Sequence, residues 1–203
     1  NTVLNDCTTY LGQSPYIVHR LDMLTGGLLL IAKNPAVVPI LNRELTSKIF
    51  HRDYLAKVIN ADHLAERGTI NAPIGHDPLD QRKRKIDPTG LRAVTHYQVL
   101  QKNDDNTAIV KLTLETGRTH QIRVHLAHIK HPCLGDDVYS SGNNNLGLEG
   151  QALHAIRLEL LHPKTHEQMC FFAQLPEYFT KALLKLGADS KLLDEINAKY
   201  CVK

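Results

Sequence analysis

The period of the apolar residues changes several times along the chain, and each change marks an element. Residues 27–32 form an apolar run opening on the second glycine of a Gly-Gly pair, which predicts a buried strand after a turn, and residues 16–19 predict a strand before it. Between 36 and 49 the spacing becomes helical, with Val37, Ile40, Leu41 and Leu45 on one face and Pro39 tolerated in the first turn. Residues 50–59 return to strand character, with Tyr54, Ala56 and Val58 in alternation.

Residues 62–90 are rich in Gly, Pro, Asp and basic residues and read as a projecting loop or hairpin. Strands are predicted over 95–100 and 107–116. The second sets Val110, Leu112 and Leu114 against Ile109, Lys111, Thr113 and Glu115. A helix is predicted over 119–129, with Ile122, Leu126 and Ile129 on one face and Thr119 as its cap. Residues 141–150 have the composition of a flexible connection, 152–161 and 168–173 read as strands, and 176–200 as two helices. The strands are many and not regularly interleaved with helices. The expected class is therefore α+β: a mixed, largely antiparallel central sheet flanked by helices, as one domain over residues 1–203.

Composition narrows the field. A chain of 203 residues that is 42% hydrophobic can bury a substantial core, and no stretch approaches the roughly 18 consecutive apolar residues of a membrane span. The net charge of +3 does not by itself announce a nucleic-acid partner. Its distribution says more: Arg82, Lys83, Arg84 and Lys85 are consecutive, though a solvated loop explains such a run equally well. Cys7, Cys133, Cys170 and Cys201 form no Cys-x-x-Cys pair and read as reduced thiols of a cytoplasmic protein. The chain starts at Asn1 rather than Met, which leaves a preceding accessory domain or targeting segment open.

The candidate chemistry sits in residues 18–33, where Asp22 lies between the basic pair His19-Arg20 and the Gly-Gly turn, on a loop at the edge of the expected sheet. This segment resembles the signature of the RluA-type family of pseudouridine synthases. The match is His19, Arg20, Leu21, Asp22, Thr25, Gly27, Leu28, Leu29, Leu30, Ala32 and Lys33. Gly26 stands where the family usually has Ser, and Leu24 where many members have Asp. A second family signature is similar to residues 117–139: Gly117-Arg118-Thr119-His120-Gln121-Ile122-Arg123-Val124-His125-Leu126, then His131-Pro132-Cys133-Leu134-Gly135-Asp136 and Tyr139. Shorter likenesses follow at Tyr54-Leu55-Ala56-Lys57-Val58, at residues 90–97, and at Leu153-His154-Ala155 with His162-Pro163. The resemblance covers about residues 15–175.

The resemblance implies an enzyme that turns uridine into pseudouridine in ribosomal or transfer RNA, in a catalytic cleft, without cofactor or metal. It implies Asp22 as the essential carboxylate, Arg123 as its partner across the cleft, and Tyr54 as the group lying against the base. An arginine facing a carboxylate favours its ionised form. Arg20 is implied to fill the space left by an extruded base, a step costing a few kcal/mol. His19, Leu21, Thr25, Arg118, His120, Gln121 and His154 are expected to bind substrate, and Arg82, Lys83, Arg84 and Lys85 to meet backbone phosphates. A monomer is expected.

Other readings stand beside this one. An Asp beside an Arg is more often a structural ion pair, and Tyr54 in a strand is by itself core packing. His120, His125, His128 and His131 invite zinc, but only His128 and His131 have i, i+3 spacing and no cysteine pair supports them. An RNA-binding module without turnover would keep the fold. A hydrolase would use Asp22 with Asp136 or Asp137 as a carboxylate pair.

Overall fold

Alternation in the longest strands sorts side chains onto two faces of one sheet, and different helices cover each face. A computed structural model describes residues 2–47, 49–140 and 148–199. In chain order it contains α1 (Val3–Leu11), the two-residue strands β1 (Tyr16–Ile17), β2 (Gly26–Gly27) and β3 (Ile31–Ala32), then α2 (Val38–Thr46). β4 (His51–Ile59), β5 (Arg67–Asn71), β6 (Ile74–His76), β7 (Arg84–Ile86), β8 (Val94–Lys102) and β9 (Thr107–Leu114) follow. The chain continues through α3 (Gln121–His128), β10 (Leu153–Leu161), β11 (Gln168–Phe172), α4 (Glu177–Lys185) and α5 (Ser190–Lys199).

The main sheet runs β11-β10-β4-β9-β8-β5, with every neighbour antiparallel, and β2 joins β10 in parallel. It is the mixed, largely antiparallel sheet expected of an α+β fold. On one face Tyr54, Ala56, Val58, Val110 and Leu112 pack under Ile122 and Leu126 of α3. On the other, Leu55, Ile109 and Ile156 meet Phe179, Leu183, Leu193 and Ile196 of α4 and α5. A third cluster joins Leu41 of α2 to Val18, Ala32, Phe50, Leu158 and Leu160. Each large apolar side chain buried in this way contributes about 1.5–3 kcal/mol.

Where the sequence expectation differs, local hydrogen bonding explains it. The run 27–32 is not one strand: Leu28 N–H donates to the Ala155 carbonyl (3.1 Å) and Leu30 N–H to His19 Nε2 (3.0 Å), so β2 and β3 are separate. Of residues 16–19 only the exposed pair Tyr16 and Ile17 is strand. The helix expected over 36–49 opens as a 3₁₀ turn at Pro35–Val37, where the Asn34 side chain accepts from Ala36 N–H (2.9 Å), and ends at Thr46. The segment 62–90 holds the β6–β7 hairpin but also β5, a strand with only Ile70 buried and hence no apolar period to read. Thr119 is not the cap of α3. His120 takes that position at φ 58°, and the Gln121 side chain accepts from Arg118 N–H (3.0 Å). Helix α1, in the unassigned first dozen residues, buries none of its side chains. Residues 141–147 of the expected connection, and Cys201, lie outside the described residues.

The Asp22 loop is fastened to this frame through one row of the sheet: Gly27 pairs Ala155, Ala155 pairs Tyr54, and Tyr54 pairs Leu112. Gly27 has φ 103°, and a Cβ there would collide with the Ala155 carbonyl and amide. Only glycine fits both constraints. Gly27→Ala is expected to cost about 2 kcal/mol or more of folding stability, read as a lowered urea midpoint.

Candidate active site

Asp22 begins a tight turn in which Thr25 N–H donates to its carbonyl (3.0 Å) and Leu24 is held at φ 66°. Asp tolerates that left-handed conformation better than Leu, so the departure at position 24 adds strain to the turn. Gln151 clamps it, its amide donating to Met23 O and to Thr25 Oγ1, both at 2.8 Å. Leu21 packs onto the core. His19 anchors the far side through Leu30 and lies edge-on to Phe50. Because Leu30 N–H donates to Nε2, the neutral His19 ring carries its proton on Nδ1. Burial, with the Arg52 charge adding to it, pushes the His19 pKa down to about 4.

Opposite, α3 delivers Arg123. Its Nε and Nη2 donate to Asp136 Oδ2 and Oδ1 at 2.7 and 2.8 Å, a bidentate pair, while Nη1 lies 3.6 Å from Asp22 Oδ2. Asp136 is fixed in turn by the N–H groups of Val138 and Tyr139. Burial works against the Arg123 charge, but the bonds from Asp136 and the charges of Asp136 and Asp22 outweigh it and raise its pKa. The Tyr139 ring lies beneath the guanidinium, 5.1 Å from it. The Tyr139 hydroxyl accepts from Arg84 N–H and shares a hydrogen bond with His120 Nδ1, both at 2.8 Å. Burial is the first of several causes that lower the His120 pKa.

Tyr54 projects from β4 into the floor between these walls. Burial raises its phenol pKa, Arg52 opposes and Asp22 adds, so the hydroxyl keeps its proton at neutral pH. The cleft has a volume of about 650 Å³. His19, Arg20, Leu21, Asp22 and Thr25 line one wall, Arg118, His120 and Gln121 the other, and Arg52 and Tyr54 the floor. Arg20 is exposed at the rim. Arg118 donates through Nε to Arg92 O (3.0 Å). Gln121 is committed to the fold: its amide accepts from Thr116 Oγ1 and Arg118 N–H and donates to Val94 O and Thr95 Oγ1.

His154 corrects the expectation that it binds substrate. It lies on the sheet face away from the cleft, 5.7 Å from the Phe179 ring. A Cβ at Gly26 would come within 2.8 Å of its Nδ1, so this ring fills the space that a Ser at 26 would need. Asp136, with both oxygens on Arg123 and no exposed side-chain surface, is not free to pair with Asp22 as a hydrolase would require, and Asp137 points to solvent. The histidines serve local structure: His125 sits between Thr95 Oγ1 and Ala72 O, and His131 Nδ1 meets Asn60 O. Among the described residues no group of three His, Cys, Asp or Glu side chains is placed to hold a metal.

Within the basic run Arg82 pairs with Asp80 at the surface, and Arg84 opens on a second groove that meets the first at Gly117 and Arg118. Sequence reasoning missed three residues. Gln151 gave no signal. Asp136 stood in a matched motif and was weighed only as a carboxylate partner of Asp22, not as the group that holds Arg123. Arg52 was marked only by lying two places before Tyr54, on the same face of a buried strand.

A carboxylate and an arginine meeting over a tyrosine floor, on this sheet, belong to a known class. Residues 7–128 match the model described as RNA pseudouridylate synthase, and the chain belongs to that family. It is 39% identical over 191 residues to ribosomal large subunit pseudouridine synthase D of Xylella fastidiosa, covering 88% of this chain and 57% of that protein. It is 40% identical over 176 residues to the uncharacterized RNA pseudouridine synthase YjbO of Bacillus subtilis, covering 87% and 61%. These relatives bear out the RluA-type resemblance, and the chain spans about three fifths of their length. Among solved structures, human RNA pseudouridylate synthase domain containing 1 superposes with a TM-score of 0.71 at 27% identity, covering 86% of this chain and 76% of that one.

Two buried rings set an acid limit on the fold. Burial lowers the pKa of His154 to about 4, as for His19. Because the unfolded rings take up protons first, stability is complete above about pH 6.5 and is lost as pH falls toward 4. Each ring contributes a slope of about 1.4 kcal/mol per pH unit in that window. Urea titrations of His154→Leu between pH 6 and 5 are expected to show a dependence shallower by about that amount.

Proposed function

We propose that this chain converts uridine to pseudouridine in RNA, with ribosomal RNA the first substrate class and transfer RNA the second, and with Asp22 as the essential carboxylate. The observation that carries this reading is the convergence of Asp22, Arg123 and Tyr54 in one cleft. The cleft volume falls within the roughly 300–1,000 Å³ usual for small-ligand sites, enough for one displaced nucleotide.

The reaction breaks the bond between N1 of uracil and C1′ of ribose and joins C5 to the same carbon, and the proton released from C5 balances the one gained at N1. No oxidant, reductant or group donor is consumed. Asp22 supplies negative charge beside C1′, and Arg123, itself held by Asp136, fixes the direction of that carboxylate. Tyr54 offers a ring face to the base and a protonated hydroxyl to one polar atom. Arg20 at the rim occupies the stack that the base has left. We read the protein as a monomer of the cytoplasm, a setting that suits the free thiols of Cys7, Cys133 and Cys170.

Incubation with unmodified ribosomal and transfer RNA, followed by chemical mapping of pseudouridine, tests the reading. Asp22→Asn is expected to abolish product while RNA affinity stays within about threefold. Absence of product from the unaltered protein on both RNA classes would overturn it. Replacing Arg82, Lys83, Arg84 and Lys85 by Gln is expected to weaken RNA binding and flatten its salt dependence, by up to about 0.7–0.9 in log–log slope for each phosphate no longer neutralised.

A further inference from the structure

We infer that Arg52 is a phosphate-binding residue, whose guanidinium at the back of the cleft takes the phosphodiester of the nucleotide lying against Tyr54. The inference rests on the RNA reading above and adds a binding residue to it.

Arg52 is only 5% exposed, and its Nε has no hydrogen-bond partner. It has no ion-pair partner among the described residues. Its neighbour Asp53 points to the opposite face, where Thr113, Lys111 and Arg157 take up its carboxylate. Arg52 instead meets the Phe50 ring at 5.9 Å. Arg123, equally buried, makes a useful contrast, since the carboxylates of Asp22, Asp136 and Asp137 face it. An enclosed cation without an anion is costly to keep, and a folded protein tolerates one where a ligand completes it. Burial accordingly depresses the Arg52 pKa, with only the Tyr54 phenol acting against it.

Position points to the same ligand. Arg52 and Tyr54 are two residues apart on one face of β4, so their backbones are separated by about 6–7 Å, on the scale of the span from a base to its own phosphate. Gly117 lies against the same guanidinium, where a Cβ would run into Arg52 Nη1. Both residues line the cleft.

The test is fluorescence anisotropy with a labelled oligouridylate across a salt series, alongside urea unfolding without RNA, for the unaltered protein, Arg52→Met, Arg52→Gln and Arg52→Lys. Arg52→Met and Arg52→Gln are expected to bind about tenfold more weakly with a salt slope shallower by about 0.7, while Arg52→Lys keeps the slope. Arg52→Met is expected to fold at least as stably as the unaltered protein, since an apolar side chain replaces a lone buried charge. A structural arginine would do the reverse, losing stability in both neutral variants and leaving the slope unchanged. An unchanged slope in whichever neutral variant folds overturns the inference. Turnover is not read: a protein that binds the oligomer with the expected slopes but makes no pseudouridine overturns the synthase reading alone, and one that binds no oligomer overturns both.

Discussion

One guanidinium set between the buried carboxylate of Asp136 and that of Asp22 sets the terms for the rest of the molecule. Arg123 has to be gripped from behind by Asp136 so that its remaining N–H groups can meet Asp22 at a defined place. A bidentate grip fixes the plane of the group as well as its position. The sheet supplies what that demands: a floor on which Tyr54 stands, a helix that carries Arg123 over it, and an edge to which the Asp22 turn can attach. Loss of Asp136 would leave a buried guanidinium with its bidentate partner gone, held by longer contacts such as the 3.6 Å approach to Asp22.

The cleft is also graded in charge. Arg20, Arg92 and Arg118 stand toward solvent, where they can meet a polyanion at little desolvation cost, while Arg52 and Arg123 are enclosed, where each interaction is stronger and harder to satisfy. Tyr139 ties the basic hairpin to this interior, since one hydroxyl serves both the Arg84 backbone and the His120 ring.

Much of this could be read from the residues, and the failures have physical causes. The apolar runs of β4 and β9 and the apolar face of α3 were legible, because both strands are buried along most of their length. β5 escaped since only Ile70 of it is buried, and α1 since it buries nothing. Asp22 and Arg123 were legible from long motifs, and Tyr54 from a short one. The roles of Gln151 and Asp136 were not, because a residue that holds another is defined by a contact distant in sequence. His154 was misassigned for the opposite reason: it sits in a family motif, yet strand alternation puts it on the far face from Tyr54's cleft.

The turn that carries the acid is joined to the sheet by a ladder of only two residues, with a left-handed leucine at its tip. Peeling such an edge exposes little apolar surface and breaks few bonds, so it opens far more readily than the layers beneath it. Far-ultraviolet circular dichroism registers the layers and would miss such an opening, so the state of this loop has to be followed by a probe placed on the loop itself.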